Sequence, residues 1–342
     1  MRDLLVAGGG PVGLATALHA ARAGLDVAVL EPRTGVLDKA CGEGLMPGAT
    51  AALADLGVRP QGHPISGIRY VDARGGRSAE APFRRGSGLG VRRTTLHAAL
   101  AAAVDAAGVP VLHRAVSSVR DIGDRVVVDG EPARYLVAAD GLHSPVRRLL
   151  GLDRPAVRSR RYGQRRHLAV APWTSFVEVH WSRVGEAYVT PVSSGEVGVA
   201  ILTRERRPWS ALLESFPALV DRLDGPAVSD VRGAGPLRQR SRRRVAGRVL
   251  LVGDAAGYVD ALTGEGIALG LAQAAAAVAA VRADRPAGYE LTARRLGWRH
   301  ELLTQGLVTA TRSTAVRERL VPAAARLPGV FAAAVDQLAR PA

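Results

Sequence analysis

The sequence has few of the residues that stabilise small secreted proteins or mark integral membrane proteins. It contains one cysteine, Cys41, among 342 residues, which excludes a framework of intramolecular disulfides. The longest apolar run, around residues 269–281, is shorter than the roughly 20 residues that cross a bilayer and contains Gln273. We therefore expect no integral membrane segment. The N-terminus shows no apolar segment with a cleavage site, which predicts a cytoplasmic protein.

Lysine and aromatic residues are also scarce. Lys39 is the only lysine, which leaves 45 of the 46 basic residues as arginine, and aromatic residues make up 4% of the chain. The net charge is +15, but the densest arginine cluster, residues 238–248, contains no aromatic residues on which bases would stack. We therefore expect no nucleic-acid partner, and we expect the positive field to attract anionic cofactors or substrates.

The remaining composition, 47% hydrophobic and 23% charged, is that of an ordinary globular protein. Residues 3–7 and 26–30 have the pattern of buried strands and residues 14–24 that of a helix, which predicts a βαβ unit and a parallel sheet. Strand-like runs at 135–139 and 248–252 each end near a glycine and an aspartate. The α/β fold class follows from this alternation.

A different pattern predicts a second, antiparallel sheet. Alternating or aromatic-containing runs occur at residues 68–73, 167–171, 176–181, 187–190 and 197–202. From Gly264 onward the pattern is helical, with breaks expected near Pro286, Pro322 and Pro328.

A glycine-rich turn follows the first predicted strand directly. Gly8, Gly10 and Gly13, with Pro11 and Val12 between them, fit G-x-G-x-x-G before a helix, the arrangement that holds a dinucleotide pyrophosphate. Glu31 ends the second strand, where it would accept hydrogen bonds from ribose hydroxyls. The alternative is an ordinary glycine turn with Glu31 as a solvated strand end. The motif alone does not distinguish NAD from FAD.

Three further segments carry a family resemblance. They are residues 91–96 (VRRTTL), residues 139–147 (ADGLHSPVR), and residues 253–257 (GDAAG) followed by 262–267 (LTGEGI). Together with the glycine turn they resemble the FAD-dependent monooxygenase superfamily, which has the p-hydroxybenzoate hydroxylase-like fold and includes the geranylgeranyl reductases. Residues 39–44 (KACGEG) are similar to a stretch of the geranylgeranyl reductase-like branch that lies against the flavin.

The resemblance implies a Rossmann-like FAD-binding domain with an inserted antiparallel β-sheet substrate domain and C-terminal helices. The expected boundaries are 1–65, 86–154 and 236–285 for the FAD-binding domain, 66–85 and 155–235 for the substrate domain, and 286–342 for the helices. The residues implied to bind FAD are Gly8, Gly10, Pro11, Val12, Gly13, Glu31, Pro32, Arg33, Cys41, Gly42, Arg93, Asp140, Gly141, Gly253, Asp254, Gly264, Gly266 and Ile267. No metal site is predicted.

Several of these assignments have alternatives. Arg92 could take the place of Arg93 at the FAD pyrophosphate. Asp140 could be a turn former and helix cap, and Arg147 an exposed helix residue. Cys41 could be a catalytic thiol, or a small buried residue in a loop whose glycines pass close to the flavin ring.

The chain also departs from its relatives at sites that bear on activity. Tyr188 and Pro191 are not spaced as in the Tyr-x-Trp-x-x-Pro motif of geranylgeranyl reductases, and the tryptophan is lacking. The paired tryptophans of one group of flavin halogenases are also lacking. Asp260 precedes Ala261 where the family usually has Asp-Pro.

The resemblance therefore implies an FAD-dependent monooxygenase that hydroxylates or epoxidises a small organic substrate through a C4a-hydroperoxyflavin, in specialised metabolism. NAD(P)H would act as transient reductant and molecular oxygen as co-substrate. The alternative is an FAD-dependent reductase or dehydrogenase of the geranylgeranyl reductase type, acting on a C=C bond. No catalytic residue is assigned; the candidates for acid or base are His167, His180, Tyr188, Tyr258 and Asp260. Trp173, Trp181 and Tyr188 either line an apolar pocket or pack in a core.

Overall fold

Strands and helices alternate along the chain in the computed structural model, which describes residues 1–155 and 160–339. The strands are β1 (Arg2–Ala7), β2 (Val27–Leu30), β3 (Gly44–Leu45), β4 (His63–Ile65), β5 (Gly67–Asp72), β6 (Ser78–Pro82), β7 (Gly88–Gly90), β8 (Val111–Leu112), β9 (Val119–Asp121), β10 (Val126–Val128), β11 (Glu131–Ala138), β12 (Tyr162–Leu168), β13 (Phe176–Trp181), β14 (Gly185–Ser193), β15 (Glu196–Thr203), β16 (Arg232–Ala234), β17 (Gln239–Arg240), β18 (Val245–Ala246), β19 (Val249–Leu251) and β20 (Gly257–Tyr258). The helices are α1 (Pro11–Arg22), α2 (Pro47–Asp55), α3 (Arg93–Ala106), α4 (Pro145–Leu149), α5 (Trp209–Leu213), α6 (Pro217–Val220), α7 (Gly266–Arg282), α8 (Pro286–Ala310), α9 (Thr314–Arg326) and α10 (Pro328–Ala339). Residues 156–159 and 340–342, which the predicted domains include, lie outside the described residues.

The first sheet has the order β18-β19-β11-β1-β2-β8, and β10 and β9 extend it from β11. β1 pairs in parallel with β2 and β11, and β11 pairs in parallel with β19. Residues 4–7 of β1 are buried because the sheet is covered on both faces. Helices α1, α3 and α7 contribute to one core cluster, and a second cluster covers the other face. The predicted Rossmann-like α/β fold is confirmed.

The second sheet has the order β16-β12-β15-β14-β13-β5-β6. Its pairs are antiparallel except β5 with β13, which run parallel. A parallel pair is possible because β5 and β13 are joined through strands of the first sheet rather than by a hairpin. The strand predicted at 167–171 is instead β12, residues 162–168. The first part of β12 was not predicted, because Arg165 and Arg166 interrupt the apolar pattern there.

The C-terminal helices pack on both sheets. α8 lies on α7, whereas α9 and α10 lie on β5 and β6 of the second sheet. Pro286 and Pro328 are the first residues of helices, but the break expected near Pro322 is wrong, because that residue lies inside α9. A proline there removes one backbone hydrogen bond and the helix continues. In the described ranges, no helix has the length and apolar character needed to cross a bilayer.

Candidate functional site

A single cavity of about 760 Å³ is lined by residues of both large sheets. It brings together sixteen of the eighteen residues that the sequence predicts at the FAD site, namely Gly8, Gly10, Pro11, Val12, Glu31, Pro32, Arg33, Cys41, Gly42, Arg93, Asp140, Gly141, Asp254, Gly264, Gly266 and Ile267. Glu31 and Asp254, which come from strand ends more than two hundred residues apart in the sequence, therefore face one groove. That each of these residues contacts FAD stays a prediction.

Gly13 and Gly253, the other two predicted residues, do not line the cavity. A Cβ atom on Gly13 would lie 1.8 Å from the carbonyl oxygen of Gly8, and one on Gly253 would lie 3.2 Å from a methyl carbon of Val12. These glycines allow α1 to begin close to β1 and β19. Their effect on the groove comes from this close packing of the helix against the strands. Gly8, at a φ of +103°, forms the tight turn.

Glu31 is fixed at the end of β2 and is 4% exposed, so its interpretation as a solvated strand end is wrong. Its Oε2 accepts a hydrogen bond from the backbone N–H of Gly9 at 2.8 Å, and its Oε1 accepts one from Nε of Arg33 at 2.7 Å. Burial alone would raise the pKa of Glu31, but the bonds from Arg33 and Gly9 lower it below the usual value. The carboxylate is thus held ionised beside the glycine turn.

Three cations face the same part of the cavity: Arg33, Lys39 and Arg93. Enclosure by the protein lowers the pKa of Lys39, and the charges of Arg33 and Arg93 lower it further. Of the two candidates for the pyrophosphate arginine, Arg93 lines the cavity, whereas the Nε atom of Arg92 lies 3.4 Å from Glu196. Clustered cations beside a glycine turn and a helix N-terminus fit the diphosphate of a dinucleotide such as FAD.

Asp140 serves the turn after β11 and also faces the cavity. Its Oδ2 accepts a hydrogen bond from the N–H of Val146 at 2.9 Å, which caps α4. Its Oδ1 is buried and has no hydrogen-bond partner among the described residues. Burial raises the pKa of Asp140. The alternative of a helix cap is therefore supported, and one oxygen is still free for a ligand hydroxyl.

Arg147 is 1% exposed, so the alternative of an exposed helix residue is wrong. Its Nε lies 2.5 Å from Asp153, and its terminal nitrogens donate to the carbonyls of Leu142 at 3.0 Å and Ala255 at 2.9 Å. Arg147 thereby ties the turn after β11 to the segment that carries Asp254. In this way Arg147 fixes the relative position of two segments that form the groove.

Asp254 lies in a short 3-10 helix, Gly253–Ala256, directly after β19. Burial raises the pKa of Asp254, although Arg93 and Lys39 oppose the shift. α7 begins nearby at Gly266, and Gly264 reaches a φ of +70° in the turn before it. The N-terminus of a 17-residue helix therefore points into the cavity, where it favours negative charge.

The loop before β3 contributes Cys41, Gly42 and Glu43 to the cavity wall. Enclosure raises the pKa of the Cys41 thiol. Sequence reasoning missed Glu43, which is 3% exposed and whose Oε2 lies 2.6 Å from Nε2 of His167. The only sequence signal was its position between Gly42 and Gly44, and its partner lies 124 residues away.

The substrate-side candidates separate into two groups. Tyr188 and Tyr258 line the cavity, and the Tyr188 hydroxyl donates to the carbonyl of Leu262 at 2.8 Å. His167 reaches the cavity wall through Glu43, whereas His180 pairs with Glu178 away from the lining. Asp260 is buried beside Arg161, and burial raises its pKa to about 6.

The sequence left pocket lining and core packing open for three aromatic residues, and the structure places one of them at the cavity. Tyr188 lines the cavity, but Trp181 and Trp173 pack in separate hydrophobic clusters of the second sheet. For both tryptophans the alternative of core packing is the one observed.

Comparison with known proteins agrees with this geometry. The family model described as "FAD binding domain" matches residues 1–283. Menaquinone reductase of Mycobacterium tuberculosis is 33% identical over 308 residues, which cover 79% of this chain and 74% of that protein. Digeranylgeranylglycerophospholipid reductase 1 of Methanothermobacter thermautotrophicus is 28% identical over 331 residues, which cover 86% of this chain and 80% of that protein.

Solved structures show the same fold at lower identity. The p-nitrophenol 4-monooxygenase PnpA from Pseudomonas putida aligns with a TM-score of 0.76 and 20% identity, over 99% of this chain and 95% of that one. A geranylgeranyl bacteriochlorophyll reductase-like protein from Thermoplasma acidophilum aligns with a TM-score of 0.75 and 22% identity, over 94% of this chain and 90% of that one. The chain thus belongs to the FAD binding domain family of flavoproteins and is an FAD-dependent oxidoreductase.

Proposed function

We propose that the protein uses FAD to reduce a carbon–carbon double bond in the polyprenyl chain of a lipid. Support comes from the two relatives described above, because both are named as reductases and both names denote lipids with polyprenyl chains. Oxygen transfer, which the sequence analysis favoured, becomes the second possibility. NAD(P)H is the proposed source of electrons in either case.

The observation that carries this proposal is the apolar half of the cavity. Beyond the charged groove, the lining is mainly aliphatic and aromatic side chains from the second sheet, β4, the segment after β6 and α10, although Gln164, Arg165 and Thr190 of the second sheet also line the cavity. The aliphatic and aromatic side chains include Ile65, Ile68, Tyr70, Phe83, Val177, Val179, Tyr188, Leu202, Val335 and Leu338. The transfer of a hydrocarbon chain from water to walls of this composition is favourable.

The chain's own residues would divide the work between the two halves of the cavity. Bound FAD would supply the electron pair for the reduction. Gly8, Gly10 and Arg93 would hold its diphosphate, and the N-terminus of α7 would stabilise negative charge on the flavin. The apolar walls would hold the polyprenyl chain and exclude water from the reacting carbons.

The test is an anaerobic reduction assay with protein reconstituted with FAD. NAD(P)H or dithionite supplies electrons, and the substrates are menaquinone and a lipid with geranylgeranyl chains. Because dithionite also adds two hydrogen atoms to the quinone ring, the ring is reoxidised in air before mass spectrometry, and we expect products that retain a gain of two hydrogen atoms for each chain double bond reduced. If product forms only in air and contains an added oxygen atom, the protein is a monooxygenase and the proposal is wrong.

A further inference from the structure

Glu43 has a left-handed backbone conformation. Its side chain and backbone contact the segment before α3, the start of α3, and β12. Its φ is +59°, a value that residues other than glycine rarely adopt, and its side chain is buried. Its Oε1 accepts a hydrogen bond from the backbone N–H of Arg93 at 2.8 Å, and its carbonyl accepts one from Val91 at 2.9 Å. Its Oε2 lies 2.6 Å from His167 on β12. Such a conformation persists when surrounding contacts enforce it.

The surroundings of His167 determine which of its nitrogens carries the proton. Its Nδ1 lies 2.9 Å from the Ser229 hydroxyl, 3.1 Å from a terminal nitrogen of Arg165 and 3.4 Å from one of Arg92. The serine hydroxyl can donate or accept, so the arginines decide the role of Nδ1. A guanidinium group can only donate, so Nδ1 accepts, and the Nε2–H group donates to Glu43. Both carboxylate oxygens of Glu43 therefore act as acceptors at the same time. A glutamine at this position could satisfy only one of the two donors.

Glu43 and neighbouring residues also hold the Cys41 loop, which we define as residues 38–44. The N–H of Glu43 donates to Sγ of Cys41 at 3.4 Å, and the carbonyl of Gly42 accepts from the Thr190 hydroxyl at 2.7 Å. At the start of the loop, Arg165 forms an ion pair with Asp38 and donates to the carbonyl of Lys39 at 3.1 Å. The loop that lines the charged groove is thus fastened to β12 and β14.

We propose that Glu43 and His167 are positioning residues that hold the Cys41 loop, and with it the Cys41 thiol, between the charged and apolar halves of the cavity. For the rate of double-bond reduction this inference rests on the proposed function. The inference about the position of the thiol is independent of the proposed function, because that position depends only on contacts within the chain.

A second buried Glu–His pair provides a matched control. Glu178 and His180, both on β13, lie 3.0 Å apart, and their side chains are each 2% exposed. The corresponding exposures for Glu43 and His167 are each 1%. Glu178 and His180 do not line the cavity, and they contact no residue of the Cys41 loop among the described hydrogen bonds. Substitution in either pair should lower the free energy of unfolding by a similar amount. Only substitution of Glu43 or His167 should alter the Cys41 loop.

Cys41 is the only cysteine, so its rate of alkylation by iodoacetamide reports on the loop alone. The charged or titratable groups facing it are Arg93 from α3, Arg165 from β12, Glu43 from the loop and Tyr258 from β20. Glu43→Gln removes a negative charge that disfavours the thiolate and also loosens the loop. We expect alkylation at neutral pH to accelerate about tenfold, because both changes favour attack by the thiolate.

Variants of the histidines separate positioning from general loss of stability. We expect His167→Leu to accelerate alkylation as Glu43→Gln does, and His167→Gln to stay near the wild-type rate because its amide still donates to Glu43. His180→Leu should lower the melting temperature without changing alkylation. The proposal is overturned if Glu43→Gln and His167→Leu alkylate at the wild-type rate, or if His180→Leu accelerates the reaction equally.

Turnover measurements then test the link to catalysis. With the polyprenyl lipid that the wild-type protein reduces, Glu43→Gln should lower kcat about tenfold and leave KM unchanged, because the variant alters positioning rather than the apolar walls. An unchanged kcat in that variant contradicts the catalytic part of the inference. If the wild-type protein reduces neither lipid, the proposed function fails, and the alkylation rates still decide the positioning role.

Discussion

The two halves of the cavity are built in different ways. The charged half is made from backbone turns, glycines and a few charged side chains at strand ends, including Gly8, Glu31 and Asp254. The apolar half is made from side chains that project from the second sheet and from α10, such as Val179 and Val335. A backbone turn admits few sequences, whereas an apolar wall admits many of similar volume. We therefore expect changes in the first half to affect FAD and changes in the second to affect substrate alone.

The largest effect should come from Gly13→Ala. The new Cβ atom would lie 1.8 Å from the carbonyl oxygen of Gly8, and backbone cannot move away as a flexible side chain can. We expect FAD affinity to fall by about 100-fold or more, which corresponds to roughly 3 kcal/mol of distortion. Titration of the apoprotein with FAD, followed by flavin fluorescence, measures this loss.

The control for this glycine is Gly306→Ala. Gly306 lies in α8, and apart from its chain neighbours and the backbone of its own helix no atom of the described residues lies within 4 Å of the position a Cβ would take. Its substitution should leave FAD affinity unchanged and raise the melting temperature slightly, because alanine favours the helix. Wild-type FAD affinity in Gly13→Ala would contradict the view that close packing shapes the charged half.

A smaller effect, confined to substrate, is expected from Val335→Phe. Val335 lines the apolar half from α10 and is 3% exposed, so a larger side chain reduces the space for a chain-like substrate. We expect KM for the reduced lipid to rise about tenfold while the dissociation constant of FAD stays the same. Val330→Phe, on the same helix at a side chain that is 66% exposed, should change neither. Loss of FAD affinity in Val335→Phe would mean that the two halves are coupled.

Lys39→Gln should weaken FAD binding more modestly. Removing one of three cations near the diphosphate should raise the dissociation constant about fivefold at low salt, and less as salt screens the remaining charges. Arg319→Gln removes the same charge from an exposed position on α9 and should have no effect. Equal losses in both variants would indicate that the overall field, rather than the groove, attracts the cofactor.

The smallest effect concerns His97, which supports the charged half from α3. Its Nε2 donates to the carbonyl of Gly9 at 3.0 Å, and its Nδ1 accepts from the N–H of Leu37 at 3.4 Å. Burial lowers the pKa of His97 below its ordinary value of 6.5. The unfolded chain therefore binds a proton first as pH falls, and the free energy of unfolding should decrease from about pH 6.5 until the pH lies below the folded pKa.

Urea unfolding across that range tests this linkage. His97→Gln keeps a donor to Gly9 but cannot bind the proton, so the decrease in the free energy of unfolding below pH 6.5 should be shallower than in the wild type. His63→Gln serves as the control, because His63 lies outside the charged half. A slope that changes equally in both variants would exclude His97 as the cause.

The same division explains what the sequence could predict. The glycine turn, Asp140 and Asp254 could be proposed from short contiguous motifs, and the structure brings them to one cavity. Glu43 was missed because its importance depends on His167, and β12 was misplaced because Arg165 interrupts the apolar pattern. Burial of Arg165 is tolerated because Asp38 pairs with it from the distant loop, a contact that no local pattern encodes. The apolar walls likewise depend on which strands become neighbours.

The scarcity of lysine has a practical consequence for this protein. Reagents that acylate primary amines have only two targets in the printed chain, the N-terminal amine and Lys39, which lines the groove. A nucleotide seated over the ε-amine would shield it while leaving the terminus untouched. The ratio of the two labels, read from the mass of the intact protein, would then count occupied molecules even when the bound compound has no colour.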